Sequence, residues 1–308
     1  MTTSQTQKSI KWTINDEIPD LSGKVALVTG ANSPGGLGFH TAYQLASKNA
    51  KVYIGARSIS KAESAIREMA ASNPDLAGNG RLVPFVADLG DLRAVKAAGE
   101  KLAREGSKLD ILVHNAAVHL GPFTLTKSVM PFLRTQPKPL ETLGLSRYEV
   151  SASSFKVLPP GIRFDSPDSF NAEMEPTVLG GTDFTRYSLS KLAKVLFARE
   201  LQKKFDAANI QALSMSLHPG LFNTDGVIKW LQSGQGRTLD GRLTLAEGAA
   251  MPLFATTSPK VLTQRERFKG AFLVPPGEIE ALVGDAGDEK LAKELWATSE
   301  RVIETLVE

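Results

Sequence analysis

Tyr187 and Lys191, the ends of YSLSK, place a phenol and an ammonium one helical turn apart. Such a pair can be a proton donor with a cation that tunes it, or two residues on a wet helix face. Leu189, Leu192, Ala193 and Leu196 form the apolar stripe of the segment, and Tyr187 and Lys191 fall on the opposite side. Read from the helix alone, the pair belongs to a solvated face. The remaining residues must decide between the two.

A second group with chemical meaning is TGANSPGGLG, Thr29 to Gly38, which sits between an apolar run, KVALVTG, and the helical pattern of FHTAYQLASKNA. Glycines at a strand-to-helix turn let a pyrophosphate approach the backbone. The free N–H groups and positive dipole of the helix N-terminus then face it. The next strand, KVYIGAR, ends at Ala56-Arg57-Ser58, where an NAD site usually carries an acid against the ribose 2′-hydroxyl. A guanidinium there suits a 2′-phosphate, so Arg57 points to NADP(H) in preference to NAD(H).

The elements that must position these residues repeat with one rhythm. KAESAIREMAAS reads as a helix, RLVPFVADL as a strand, LRAVKAAGEKLAREG as a helix and LDILVHNAA as a strand. Apolar strands alternating with amphipathic helices predict an α/β fold, a Rossmann-type doubly wound parallel sheet in a single domain. Farther on, FTLTKSVMPFLR reads as a short helix, RYEVSASS as a strand, YSLSKLAKVLFARELQKKF as a helix starting at Tyr187, and IQALSMSLHPG as a strand. LAEGAAMPLFATTS, GAFLVPP and DEKLAKELWATSERVIETLVE complete the pattern as helix, strand and helix. Residues 1–21 form a polar extension ahead of a domain spanning 22–308.

Composition narrows the function. The 308 residues include no cysteine, which excludes thiolate chemistry, so redox work requires a bound cofactor. A net charge of +3 with interspersed signs excludes a nucleic-acid footprint. The four histidines have no metal-ligand spacing, and no metal is assigned. No apolar run is long enough for a membrane span, and the expectation is a cytoplasmic protein.

The glycine loop, YSLSK and HPG after a later strand, taken together over about residues 22 to 275, resemble the short-chain dehydrogenase/reductase family. TGANSPGGLG is similar to the family's TGxxxGxG with Pro34 and Gly35 added, which aligns Gly30, Gly36 and Gly38 with its three glycines. Asn32, Ser33 and Leu37 complete that loop. HNAA is similar to NNAG, placing Asn115 and Ala116 at the cofactor, and Asp88-Leu89 matches the acidic position that holds the adenine. KLAKVLFAREL and IRFDSPDSF are most like the branch of retinol-dehydrogenase-like and related lipophilic carbonyl reductases.

The resemblance implies a role for each residue. Tyr187 would give its proton to a carbonyl oxygen or take one from an alcohol. A phenol with a pKa near ~10 needs a nearby cation for that, and Lys191 would supply it while holding the nicotinamide ribose. Counting the family's RIVxVSS pattern from Arg147 places Ser153 as the hydroxyl that polarises the carbonyl, with Ser154 in reserve. In HPGLFNT, Pro219, Gly220 and Thr224 would meet the carboxamide, and His218 would be structural.

The chain also departs from the family. HNAA runs directly into VHLGPFTLTK, so Val118 stands where the family carries the Asn that orders a proton-relay water. The segments at about 155–186 and 221–245 read as substrate-pocket insertions, the second containing Val227, Ile228, Trp230 and Leu231 on a candidate lid. The expected function is NADPH-dependent interconversion of a carbonyl and an alcohol on a small lipophilic molecule, with oligomeric state left open. The alternative is an NADP(H)-binding protein with little turnover that acts as a sensor or partner-binding module.

Overall fold

The computed structural model describes residues 17–106, 108–116, 119–135, 142–145, 158, 161–170, 175–176, 181–220, 222 and 243–307. The chain begins its sheet with β1 (Val25–Val28), α1 (Leu37–Ser47), β2 (Lys51–Ala56), α2 (Ile59–Ser72), β3 (Leu82–Val86), α3 (Leu92–Glu105), β4 (Ile111–Val113) and α4 (Leu120–Thr135). It continues through β5 (Thr142–Leu145), α5 (Thr182–Ala207), β6 (Ser214–Leu217) and four short helices, α6 (Leu245–Gly248), α7 (Ala250–Thr257), α8 (Pro259–Thr263) and α9 (Arg265–Phe268). β7 (Phe272–Val274), β8 (Glu278–Glu280) and α10 (Glu289–Val307) complete it.

The strands lie in the order β3-β2-β1-β4-β5-β6-β7-β8, parallel throughout except for β8, which turns back antiparallel on β7. VALV of β1 and ILV of β4 are buried along their whole length because helices cover both faces of the sheet. On one face Leu37, Ala42 and Leu45 of α1, Met69 of α2 and Leu253 of α7 pack together. On the other, Val95 of α3, Phe123 of α4, Leu196 and Phe205 of α5 and Trp296 of α10 form the second core. Asp110, buried just before β4, accepts the Val25 N–H at 2.8 Å and the Lys108 ammonium at 3.0 Å, which ties the starts of β1 and β4.

Several expectations need correction. The fifth place in the sheet is filled by Thr142–Leu145, which pairs with β4 and β6; the strand expected at 147–154 lies outside the described residues. Helix α5 starts at Thr182, ahead of Tyr187, and the segment beginning at Leu245 divides at Ala249 into two helices. The face of α5 expected to be wet is instead enclosed at Lys191. That residue is fully buried, as are Ser188 and Leu192, because α5 lies between the sheet and α10.

Candidate functional site

In an open parallel sheet, ligands bind where the strand order reverses, outside the carboxyl ends of the strands. That point is between β1 and β4. At the end of β1 the chain turns at Gly30, whose φ of +65° is left-handed and suits a residue without Cβ. The following loop closes with Gly36 donating its N–H to the Ser33 carbonyl at 2.9 Å, and α1 then begins at Leu37. His40 donates to the carbonyl of the inserted Pro34 at 2.9 Å, which holds the lengthened loop onto the first turn of the helix.

The loop is braced from β4. Asn115 donates its side-chain N–H groups to the carbonyls of Thr29 (2.9 Å) and Gly30 (3.2 Å), and its backbone N–H to the Thr29 hydroxyl (3.1 Å). Gly38 lies so close to this bracket that a Cβ there would stand 2.7 Å from the Gly30 carbonyl oxygen and would collide with the Asn115 amide.

A cavity of about 510 Å³ opens beside this loop, and Gly30, Asn32, Arg57, Asp88, Leu89 and Ala116 all line it. Six residues proposed for the cofactor from sequence therefore share one space. Thr29 and Gly90, also in its walls, were not foreseen; Gly90 N–H donates to the Asp88 carboxylate at 3.0 Å and fixes the turn there. Ser33, Gly36, Leu37, Gly38 and Asn115 are not in the walls and shape the loop from behind. The cavity suits a dinucleotide: a backbone without Cβ atoms at its floor, an exposed guanidinium at the end of β2 and a carboxylate at the end of β3.

Tyr187 and Lys191 lie in the second and third turns of α5. The Lys191 ammonium is 4.6 Å from the centre of the half-buried Tyr187 ring, and the ring stacks on Phe184 at 6.2 Å. The two side chains thus meet, and burial takes the ammonium out of bulk water, which strengthens its field on the phenol. Pro219 and Gly220 are buried just past β6. There the Gly220 N–H donates to His218 Nδ1 at 2.8 Å, consistent with a structural His218. Ser153, Ser154, Val118, Thr224, Val227, Ile228, Trp230 and Leu231 lie outside the described residues.

Sequence reasoning missed Lys194. It is 5% exposed, and its ammonium donates to the Ala116 carbonyl at 2.6 Å, so a second buried cation on α5 holds the strand end that walls the cavity. Its position three residues after Lys191, on the same side of the helix, was the available signal.

Two histidines border this region. His114 pairs through Nε2 with the Thr126 hydroxyl at 2.8 Å, and His119 through Nε2 with that of Ser299 at 2.9 Å. Burial, helped by the Lys194 charge, pushes both rings down from 6.5 to about 3. Because the folded-state pKa is lowered, the unfolded chain takes up protons first as the pH falls below 6.5, and stability present above that value is lost towards pH 3. At pH 5 His114 should thereby cost about 2 kcal/mol relative to neutral pH. Denaturant titrations at pH 7.5 and pH 5 should show that loss reduced in His114→Asn; identical losses in both proteins would show that His114 does not govern it.

Among the described residues no group of three or more His, Cys, Asp or Glu could hold a metal, and no helix is long and apolar enough to cross a membrane. The family model for short chain dehydrogenase matches residues 24–137. A short-chain dehydrogenase/reductase of Armillaria gallica is 34% identical, covering 92% of this chain and 94% of its own. Human retinol dehydrogenase 14 is 28% identical, covering 92% and 87%. Among solved structures, a protein from Mycobacterium paratuberculosis superposes with a TM-score of 0.66 at 25% identity over 95% of this chain and 97% of that one. L-sorbose reductase from Gluconobacter frateurii, solved with NADPH and L-sorbose, shares the fold with a TM-score of 0.59 at 18% identity, over 86% and 100%. The relatives match along nearly the whole chain, in the same parallel sheet, and this protein belongs to the short-chain dehydrogenase/reductase family of nicotinamide-dependent oxidoreductases.

Proposed function

We propose that this oxidoreductase uses NADPH to reduce the carbonyl of a small lipophilic molecule, or runs the reverse alcohol oxidation. The observation that carries the reading is the fully buried Lys191 ammonium set 4.6 Å from the Tyr187 ring. A buried cation in that place stabilises the negative charge a phenol acquires on releasing its proton. Tyr187 then acts as the acid that protonates the carbonyl oxygen, and Ser153 is assigned to polarise the same oxygen. NADPH, when bound, supplies the hydride. Gly30, Asn32, Asp88, Leu89 and Ala116 hold the nucleotide, with Arg57 on its 2′-phosphate; Thr224 is assigned to the carboxamide. The segments at about 155–186 and 221–245 are assigned to the substrate pocket.

The choice of NADPH rests on Arg57, exposed in the cavity wall at the end of β2, where Ala56-Arg57-Ser58 carries no acid. Arg57→Asp is expected to weaken NADPH binding by about 1.5–3 kcal/mol, the value of a hydrogen bond to a charged group, and to narrow the preference over NADH. Nicotinamide fluorescence titration measures both; unchanged NADPH affinity would remove Arg57 from the site. The reaction itself is tested by NADPH consumption with a panel of apolar aldehydes and ketones.

One observation favours a second reading, an NADP(H)-binding protein with little turnover. Helix α4 begins at Leu120, only a few residues beyond Ala116, with no room for the family's helix segment carrying the relay Asn. Tight NADPH binding without consumption across the whole panel would select it.

A further inference from the structure

A second pocket, of about 500 Å³, lies between α3, α4, α5 and the end of α10. Leu92, Leu120, Phe170, Leu189 and Leu306 supply large apolar side chains to its walls. It touches the nucleotide cavity only through Leu89 and Gly90, which line both. Arg186, Leu189, Ser190 and Ala193 face it from α5, a stripe with helical spacing that is displaced around the axis from Tyr187 and Lys191. The pocket is therefore separate from the proton-donating face of the same helix.

Its polar groups are few and mostly committed. The Ser190 hydroxyl donates to the Tyr187 carbonyl at 2.6 Å. The Ser299 hydroxyl donates to the Leu295 carbonyl at 2.7 Å, so it accepts from His119, whose Nε2 carries the proton. With the ring neutral, His119 brings no charge to the pocket. His119 Nδ1 is a buried acceptor with no partner among the described residues, and Arg186 is the one charged group. Arg186 is exposed at the mouth, and among the described residues nothing pairs with its guanidinium. Leu306, on the same rim, is 49% exposed, one of few large apolar side chains left to water among the described residues.

We propose that this pocket binds an apolar monocarboxylate, with the acid on Arg186 and the hydrocarbon against the leucine and phenylalanine walls. A lone planar guanidinium matches one carboxylate through two parallel hydrogen bonds, whereas a phosphate or a sugar would require further donors that these walls do not offer. The volume lies within the ~300–1,000 Å³ of small-molecule sites, and an apolar lining with a single orienting charge is their usual composition. Burying a chain here would also cover Leu306.

The test is calorimetric titration of the full chain with dodecanoate, with and without saturating NADPH, beside the same titration with dodecanol. Dodecanoate should bind one to one, NADPH should leave it bound, and dodecanol should bind more weakly. Arg186→Glu, an exposed position that should leave the melting temperature unchanged, should weaken dodecanoate by roughly tenfold or more. Absence of binding, equal binding to Arg186→Glu, equal affinity for the alcohol, or displacement by NADPH would each overturn the proposal, the last by placing the acid in the nucleotide cavity.

Discussion

Tyr187→Phe should cut carbonyl turnover by about 10²–10⁴-fold, the usual worth of general acid–base assistance, while NADPH affinity stays close to that of the unaltered protein. Only the hydroxyl is removed, and the ring keeps its contacts with Phe184 and the Lys191 ammonium. Lys191→Ala should behave differently. It deletes a buried cation, so both the turnover number and the cofactor affinity should fall. Steady-state rates beside fluorescence titration separate the two variants. A Tyr187→Phe protein that reduces substrate at the original rate would leave this stretch as helix packing alone.

Trp296→Ala should lower stability by about 3–5 kcal/mol, the range for deleting a large aromatic from a core. Trp296 is 4% exposed and joins α10 to the layer beneath it, with ring centres 4.8 Å from Phe123 and 5.8 Å from Phe197. Lys127 and Lys204 place their ammonium groups 6.0 and 5.4 Å from the indole ring. The indole N–H is buried without a hydrogen-bond partner among the described residues. Trp296→Phe keeps most of the packing and removes an unsatisfied donor, so it should cost far less than the alanine change. Urea unfolding of the three proteins checks this order; equal losses for Phe and Ala would show that packing is not what Trp296 contributes.

The sheet, and the residues that gather at the cavity beside the glycine loop, were legible because their signals are local. KVALVTG and LDILVHNAA are uninterrupted apolar runs, and a strand buried on both faces permits little else. Arg57 and Asp88 could be placed because each follows a strand end that must open on the crevice. What escaped was tertiary. TLGL carries a mid-strand glycine and little β-branched character, whereas RYEVSASS looks the better strand, yet TLGL holds the place between β4 and β6. Lys191 and Lys194 lie on the polar side of the α5 wheel, and only the packing of α10 and the β4 strand end around them shows that the side is buried. That Asn115 braces Thr29 and Gly30 could not be read either, because a side chain's direction is not written in its motif. The antiparallel β8, a three-residue strand, is too short to leave a pattern.

The place of α10 bears on how the molecule comes into being. The nucleotide end, from β1 to β4, is encoded in the first part of the chain, but the layer over α4 and α5 is closed by residues 289–307. In a polypeptide growing from residue 1, Phe123 and Phe197 are synthesised long before Trp296 arrives to cover them. Aromatic surface left bare for that interval invites association with other unfinished chains. Late in synthesis the nascent protein therefore has a greasy flank beside a finished glycine loop, and a premature stop that spares every residue of the cofactor cavity would still yield a chain bound for chaperones or aggregates.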